Sequence, residues 1–204
     1  MERKLRRMVF ACLMMCALVL PAAADEISIR TSIWEPYLGE PDAQHPGYMI
    51  EIVKAIFGKA GHTVDYQLIP WTRAIEETRK GSFTAIIGAL KGDAPDFVFP
   101  RANIGLQRTA FFVKAGSKWK YTGISSLASV SLAVIADYAY GGEEDGLDAY
   151  IAANSQNRNL IQVAFGDNAL ETNIRKLLAG RAGAVVEDMT VMLAYLKSTG
   201  RAGQ

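Results

Sequence analysis

A two-lobe α/β fold with a cleft between the lobes is the architecture this 204-residue chain predicts, on three observations. Strand-like and helix-like stretches alternate from Asp25 onward, the pattern of parallel βαβ units. The alternation runs in two blocks, separated by the polar, glycine-bearing segment Lys114 to Gly123. The clearest unit, Leu68 to Pro100, sets Trp71, Arg73 and Lys91 just past neighbouring strand ends, where open parallel sheets receive ligands.

The elements follow in order. Residues 1–24 read as an export signal: four cations in Arg3 to Arg7, an apolar run from Met8 to Leu20, then Pro21 and three alanines. Residues 25–113 form the expected first lobe. Ile27, Ile29 and Thr31 alternate with polar residues in a strand that ends at Trp34-Glu35-Pro36-Tyr37. Met49, Val53, Ile56 and Ala60 make a helical stripe closed by Gly61, and His62 to Ile69 is the next strand. Trp71, Ile75 and Thr78 begin a helix stopped by Gly81, where a left-handed residue is cheapest. Phe83 to Leu90 is an apolar run fit for a strand covered on both faces. Ile104 to Val113 supplies a fourth strand.

Residues 114–204 form the expected second lobe. Val130 to Ile135, Leu160 to Phe165 and Ala182 to Val186 are its strands. Leu147, Tyr150 and Ile151 begin one helix face. Asn168 with Glu171 makes a capping box for a helix bearing Leu170, Ile174, Leu177 and Leu178, and Met189, Met192, Leu193 and Leu196 line the last helix.

Removal of the leader takes four of the 22 cations and one of the 21 acids, leaving 18 against 20 and a formal charge of −2. A nearly neutral surface argues against nucleic acid, which demands a basic footprint. Both cysteines, Cys12 and Cys16, leave with the leader, which excludes disulfides, thiolate metal sites and cysteine nucleophiles from the remainder. Export without disulfides suits a periplasmic protein that folds on its core alone. The acidic run Glu143 to Asp145 reads as solvated rather than metal-binding, no nucleophile or phosphate motif is present, and no cofactor is expected.

Four segments in this order and spacing resemble the amino-acid-type periplasmic solute-binding proteins (extracellular solute-binding family 3) over nearly all of the chain after the leader. They are Trp34-Glu35-Pro36-Tyr37, Gly47 to Ala60, Trp71-Thr72-Arg73-Ala74 with the strand after Gly81, and Gly180 to Asp188. The resemblance implies a type II two-lobe clamp that closes on a small polar solute and presents it to an inner-membrane ABC permease, working as a monomer. Two departures stand out. The family's carboxylate-gripping arginine would fall near Asp93-Ala94-Pro95, where no arginine stands. The family's C-terminal return to the first lobe has no counterpart in the last sixteen residues, so the expectation is either a fragment of a longer chain or a clamp whose first lobe lacks that element.

The candidate ligand contacts are Trp34 and Tyr37 as a stacking platform or rim packing, and Trp71 as a stacking face or the first core residue of its helix. Arg73 is the cation nearest a helix N-terminus, or else a solvated surface arginine. The resemblance adds Tyr138 and Tyr140 beside the turn after the second lobe's first strand. It also adds Asp188, which matches the acid that pairs with a ligand amine; an acid at a helix start is equally a good cap. Non-enzymatic binding is the expectation. The rivals are a ligand-sensing partner of a membrane receptor, and a same-fold enzyme such as a cyclohexadienyl dehydratase. Such an enzyme needs a buried acid aimed at substrate, with Glu35 the candidate.

Overall fold

The structure, a computed structural model, describes residues 24–141 and 146–201. Nearly all of the segment read as a leader, and the acidic run 143–145, lie outside the described residues. Two sheets organise the rest.

In the first lobe, β1 (Glu26–Thr31) is the central strand, with β2 (Thr63–Leu68) and β3 (Ala85–Ile86) parallel to it on either side. Helix α1 (Tyr48–Lys59) buries Met49, Ile50 and Val53, and α2 (Trp71–Arg79) buries Trp71, Ala74 and Ile75. Ile29, Leu38, Ile50 and Tyr66 form the centre of one apolar cluster. Buried Arg30 is held by Asp65 at 2.6 Å and lies 4.4 Å from the centre of the Phe83 ring.

The second sheet runs β4 (Thr109–Phe112), β7 (Ala184–Asp188), β5 (Leu132–Ile135), β6 (Ile161–Ala164), parallel except for the antiparallel β4–β7 pair. Helices α3 (Leu147–Asn154), α4 (Ala169–Leu178) and α5 (Met189–Ser198) complete it. Every residue of β7 is buried, as the middle of a covered sheet requires. This is the two-lobe α/β clamp that the alternation predicts.

Four expectations are corrected. The strand expected over 104–113 in the first lobe is Thr109–Phe112, and it pairs with β7 of the second. A strand's periodicity records which faces are covered, not which partner fills its ladder. The first lobe therefore ends before Thr109, and the crossing is made by the irregular chain from Ile87 to Arg108. The segment Lys114 to Gly123 stays with the second lobe, where Trp119 meets Phe111 at 5.7 Å. The run Phe83 to Leu90 pairs only at Ala85–Ile86, because the backbone turns away at Gly88, whose φ is +88°. Finally, Asn168 caps α4 without a side-chain hydrogen bond, so the expected capping box is not formed.

The two glycines at positive φ that end the Tyr37 loop and α2 make a sharp pair of tests. A Cβ on Gly47, at φ +106°, would lie 2.3 Å from the Tyr37 carbonyl oxygen, whereas one on Gly81, at φ +81°, meets nothing within 4 Å. Gly47→Ala is expected to cost on the order of 3 kcal/mol or more, and Gly81→Ala only about 1 kcal/mol, in chemical unfolding. Equal losses would refute the packing described for the Tyr37 loop.

Candidate functional site

The carboxyl ends of β1, β2, β5, β6 and β7 converge on one cleft of about 250 Å³ between the lobes. Parallel strands all point their ends to the same side, which is why such clefts form there. From the first lobe come Ser32 to Glu35 and Pro70 to Thr72. From the second come Ile135, Ala136, Tyr138, the start of α4, Glu187 and one side of α5. A second, smaller cavity adjoins it, lined by Trp34, Trp71, Gly88, Asp93 and Tyr138 among others.

The lobes touch through specific polar contacts around this cleft. Trp71 donates its indole N–H to the Asp137 carbonyl at 3.0 Å, and Thr72 donates its hydroxyl to the Asp137 carboxylate. Asp137 takes a left-handed φ of 58°, a conformation aspartate tolerates better than most residues. Asp93 bridges the crossing: Oδ1 accepts from Ala139 N at 2.7 Å and Oδ2 from Leu90 N at 2.6 Å. Burial pushes the Asp93 carboxyl up to about 6, against the pull of those two amides. Ser32 and Tyr138 hydroxyls lie 3.3 Å apart, and the Tyr138 ring meets Trp71 edge-on at 6.0 Å.

Among the residues read from the sequence, Trp34, Trp71 and Tyr138 line the cleft together. The other four do not. Tyr37 is buried against Trp34 and Tyr48, its hydroxyl bound to Asp188 Oδ1 at 3.2 Å. Tyr140 is a core residue of the second lobe, its hydroxyl accepting from Ile135 N. Arg73 is exposed on α2, on the face opposite Trp71, Ala74 and Ile75. Asp188 is fully buried with all its capacity engaged: Oδ1 caps α5 through Thr190 N and Val191 N, and Oδ2 accepts from Arg108 N. Of the two roles open to it, the structure gives it the cap.

The cleft acid is its neighbour. Glu187 is 2% exposed and lines the cleft. Its Oε1 accepts from Trp34 Nε1 at 3.3 Å, across the lobes, and from Asp188 N at 2.8 Å. Its Oε2 has no hydrogen-bond partner. Burial pushes its carboxyl up to about 7, the two donors and the Asp188 charge being smaller influences of opposite sign. Glu187 is absent from the residues read from the sequence, although an acid directly after the apolar run Ala184-Val185-Val186, on a strand buried throughout, is a signal. Glu35, Asp167 and Glu171 add three more carboxylates to the lining, and Tyr195 a further ring. Glu171 stands 3.7 Å from Arg175.

No family model matches the sequence, and no curated protein matches it. Solved structures share its fold. An ancestral arginine-binding protein bound to arginine is 22% identical, covering 87% of this chain and 76% of that one, at a TM-score of 0.64. A histidine kinase sensor domain with similarity to periplasmic binding proteins is 18% identical over 87% and 74%, at 0.66. An ABC uptake transporter substrate-binding protein from Streptococcus pneumoniae with bound histidine is 19% identical over 86% and 70%, at 0.63. The architecture is thus the type II clamp of periplasmic binding proteins.

A carboxyl whose native pKa is raised binds its proton more tightly in the folded state, so its stabilisation is present at low pH and lost on the way up. For Glu187 that loss runs from about 4.5 to about 7. Thermal unfolding across that range is expected to show the native chain losing stability relative to Glu187→Gln, by a few kcal/mol at most. Asp93 is common to both proteins and cancels. Parallel pH profiles would mean that Glu187 is solvated.

Proposed function

We propose that the chain is a periplasmic, non-enzymatic binding protein that closes by hinge motion on a small polar solute and delivers it to an inner-membrane ABC permease. The observation that carries this reading is the cleft itself: strand ends of both lobes meet there, with four aromatic rings and an unpartnered buried carboxylate oxygen. A few convergent polar groups in a largely apolar hollow are what a small-molecule site needs. The solved clamps that share the fold, with their bound amino acids, support it. Among the described residues no helix is long and apolar enough to cross a membrane.

A second reading has one observation of its own, the sensor domain among the matching structures. Sensing would use the same cleft and the same closure, with a membrane receptor in place of the permease. As for catalysis, the buried acid that lines the cleft is Glu187, while Glu35 lies exposed at the rim. A buried carboxyl already engaged by Trp34 and the backbone serves recognition more simply than proton transfer.

A ligand at about 100 times its dissociation constant should stabilise the chain by roughly 2.7 kcal/mol. Thermal unfolding against amines, amino acids, organic acids and small peptides is expected to give such a shift for at least one class. The shift should be reduced by Trp71→Ala, and mass spectrometry should recover the compound unchanged. A shift unaffected by Trp71→Ala would place binding elsewhere, and chemical conversion would make the chain an enzyme.

A further inference from the structure

We infer that the cleft takes a small organic cation that carries N–H donors and no carboxylate of its own, a protonated amine or guanidine, with Glu187 as its buried partner. This rests on the solute-binding reading above and names the chemistry of its ligand.

The charge inventory is the first support. Glu35, Asp167, Glu171 and Glu187 line the cleft, and among the described residues no Lys, Arg or His does. Arg73 and Lys197, each beside a lining residue in sequence, and Arg175, which stands 3.7 Å from Glu171, are exposed and outside the lining. The smaller adjoining cavity adds a further acid and no cation: Asp93, tied to Leu90 and Ala139. A ligand carboxylate entering here would meet like charge and no fork to receive it.

The second support is independent of the charge count. Glu187 Oε2 is buried without a hydrogen-bond partner while its twin oxygen accepts twice. A buried acceptor left open costs stability unless a donor meets it. A cation with N–H groups satisfies both the charge and the lone pairs; a quaternary ammonium would satisfy only the charge. The indole N–H groups of Trp34 and Trp71 are already engaged by protein acceptors, so what those rings retain for a ligand is apolar edge and π face, which suit a cation.

One feature opposes this. The N-terminus of α4 opens on the cleft at Asn168 and Ala169, and a helix start favours anions by about half a positive charge. Glu171 in its first turn already answers that partial charge, and Glu35, Asp167 and Glu187 remain. The acids win. A cleft of about 250 Å³ suits a compact small molecule.

Agmatine and L-arginine differ by one carboxylate and test this directly. Calorimetric titration of the chain is expected to show agmatine and putrescine binding, L-arginine at least about tenfold weaker than agmatine, and succinate not at all. Glu187→Gln should weaken agmatine by about tenfold or more, as loss of a charged hydrogen bond at a buried site implies. Asp167→Asn at the exposed rim, which leaves the buried contacts intact, should weaken it a few-fold at low salt and not at high salt. Arginine binding as tightly as agmatine, or agmatine indifferent to both variants, would overturn the inference. Binding of L-arginine, glutamine or succinate with neither agmatine nor putrescine bound would overturn the assignment of a carboxylate-free cation and leave the solute-binding reading standing. Failure of every compound, amino acids included, would overturn both.

Discussion

Two consecutive acids at the end of β7 set the terms for the rest of the molecule. Strand geometry sends neighbouring side chains to opposite faces, so Glu187 and Asp188 cannot share a task. Asp188 faces inward to the junction, where it caps α5, holds the Tyr37 hydroxyl and receives the Arg108 amide that leads into β4. A carboxylate buried that deeply is tolerable because four donors surround it. Glu187 faces the cleft with one oxygen satisfied and one not. The first acid fixes where the lobes meet; the second leaves an unmet demand between them.

The contacts around that pair explain how a cleft lined by acids is compatible with lobes that touch. Several cross-lobe contacts place a first-lobe side chain against a second-lobe backbone or hydroxyl group, as in Trp71 with Asp137, Asp93 with Ala139 and Ser32 with Tyr138, while Trp34, Tyr37 and Thr72 reach the carboxylates of Glu187, Asp188 and Asp137. Such hydrogen bonds are individually worth little more than the water contacts they replace. They can open and re-form as a hinge requires, whereas the apolar clusters within each lobe cannot. Apolar side chains also couple the two lobes: Val191 of α5 enters the first lobe's core, Leu170 of α4 packs against it, and Tyr138 packs against the Trp71 cluster.

Much of the fold was legible because it is written in periodicity. The first half of the α1 stripe, the α2 stripe, the alternation of β1 and the glycine stops record burial, which is what sequence patterns encode. Ile56 and Ala60, expected on the α1 stripe, are exposed because only the first turns of α1 are covered by the core. Ladder partners are not encoded this way, which is why β4 was assigned to the wrong sheet and β3 was expected to be longer. The site was legible to within one strand position. Trp34 and Tyr37 belong to one loop, but Trp34 reaches the cleft while Tyr37 turns into the core; Asp188 was singled out where Glu187 faces the cleft. Arg73 drew notice as a cation at a helix start, yet the apolar stripe of its own helix puts it on the wet side. Glu187 itself stood out only as an acid among buried valines, a signal that burial alone makes meaningful.

The most direct test is a crystal structure of the chain grown with agmatine. The account predicts a guanidinium or amine nitrogen within hydrogen-bond distance of Glu187 Oε2, with Trp34 or Trp71 on one side and residues of both lobes in contact. Agmatine bound outside the cleft, or a cleft occupied with Glu187 Oε2 still unpartnered, would contradict it.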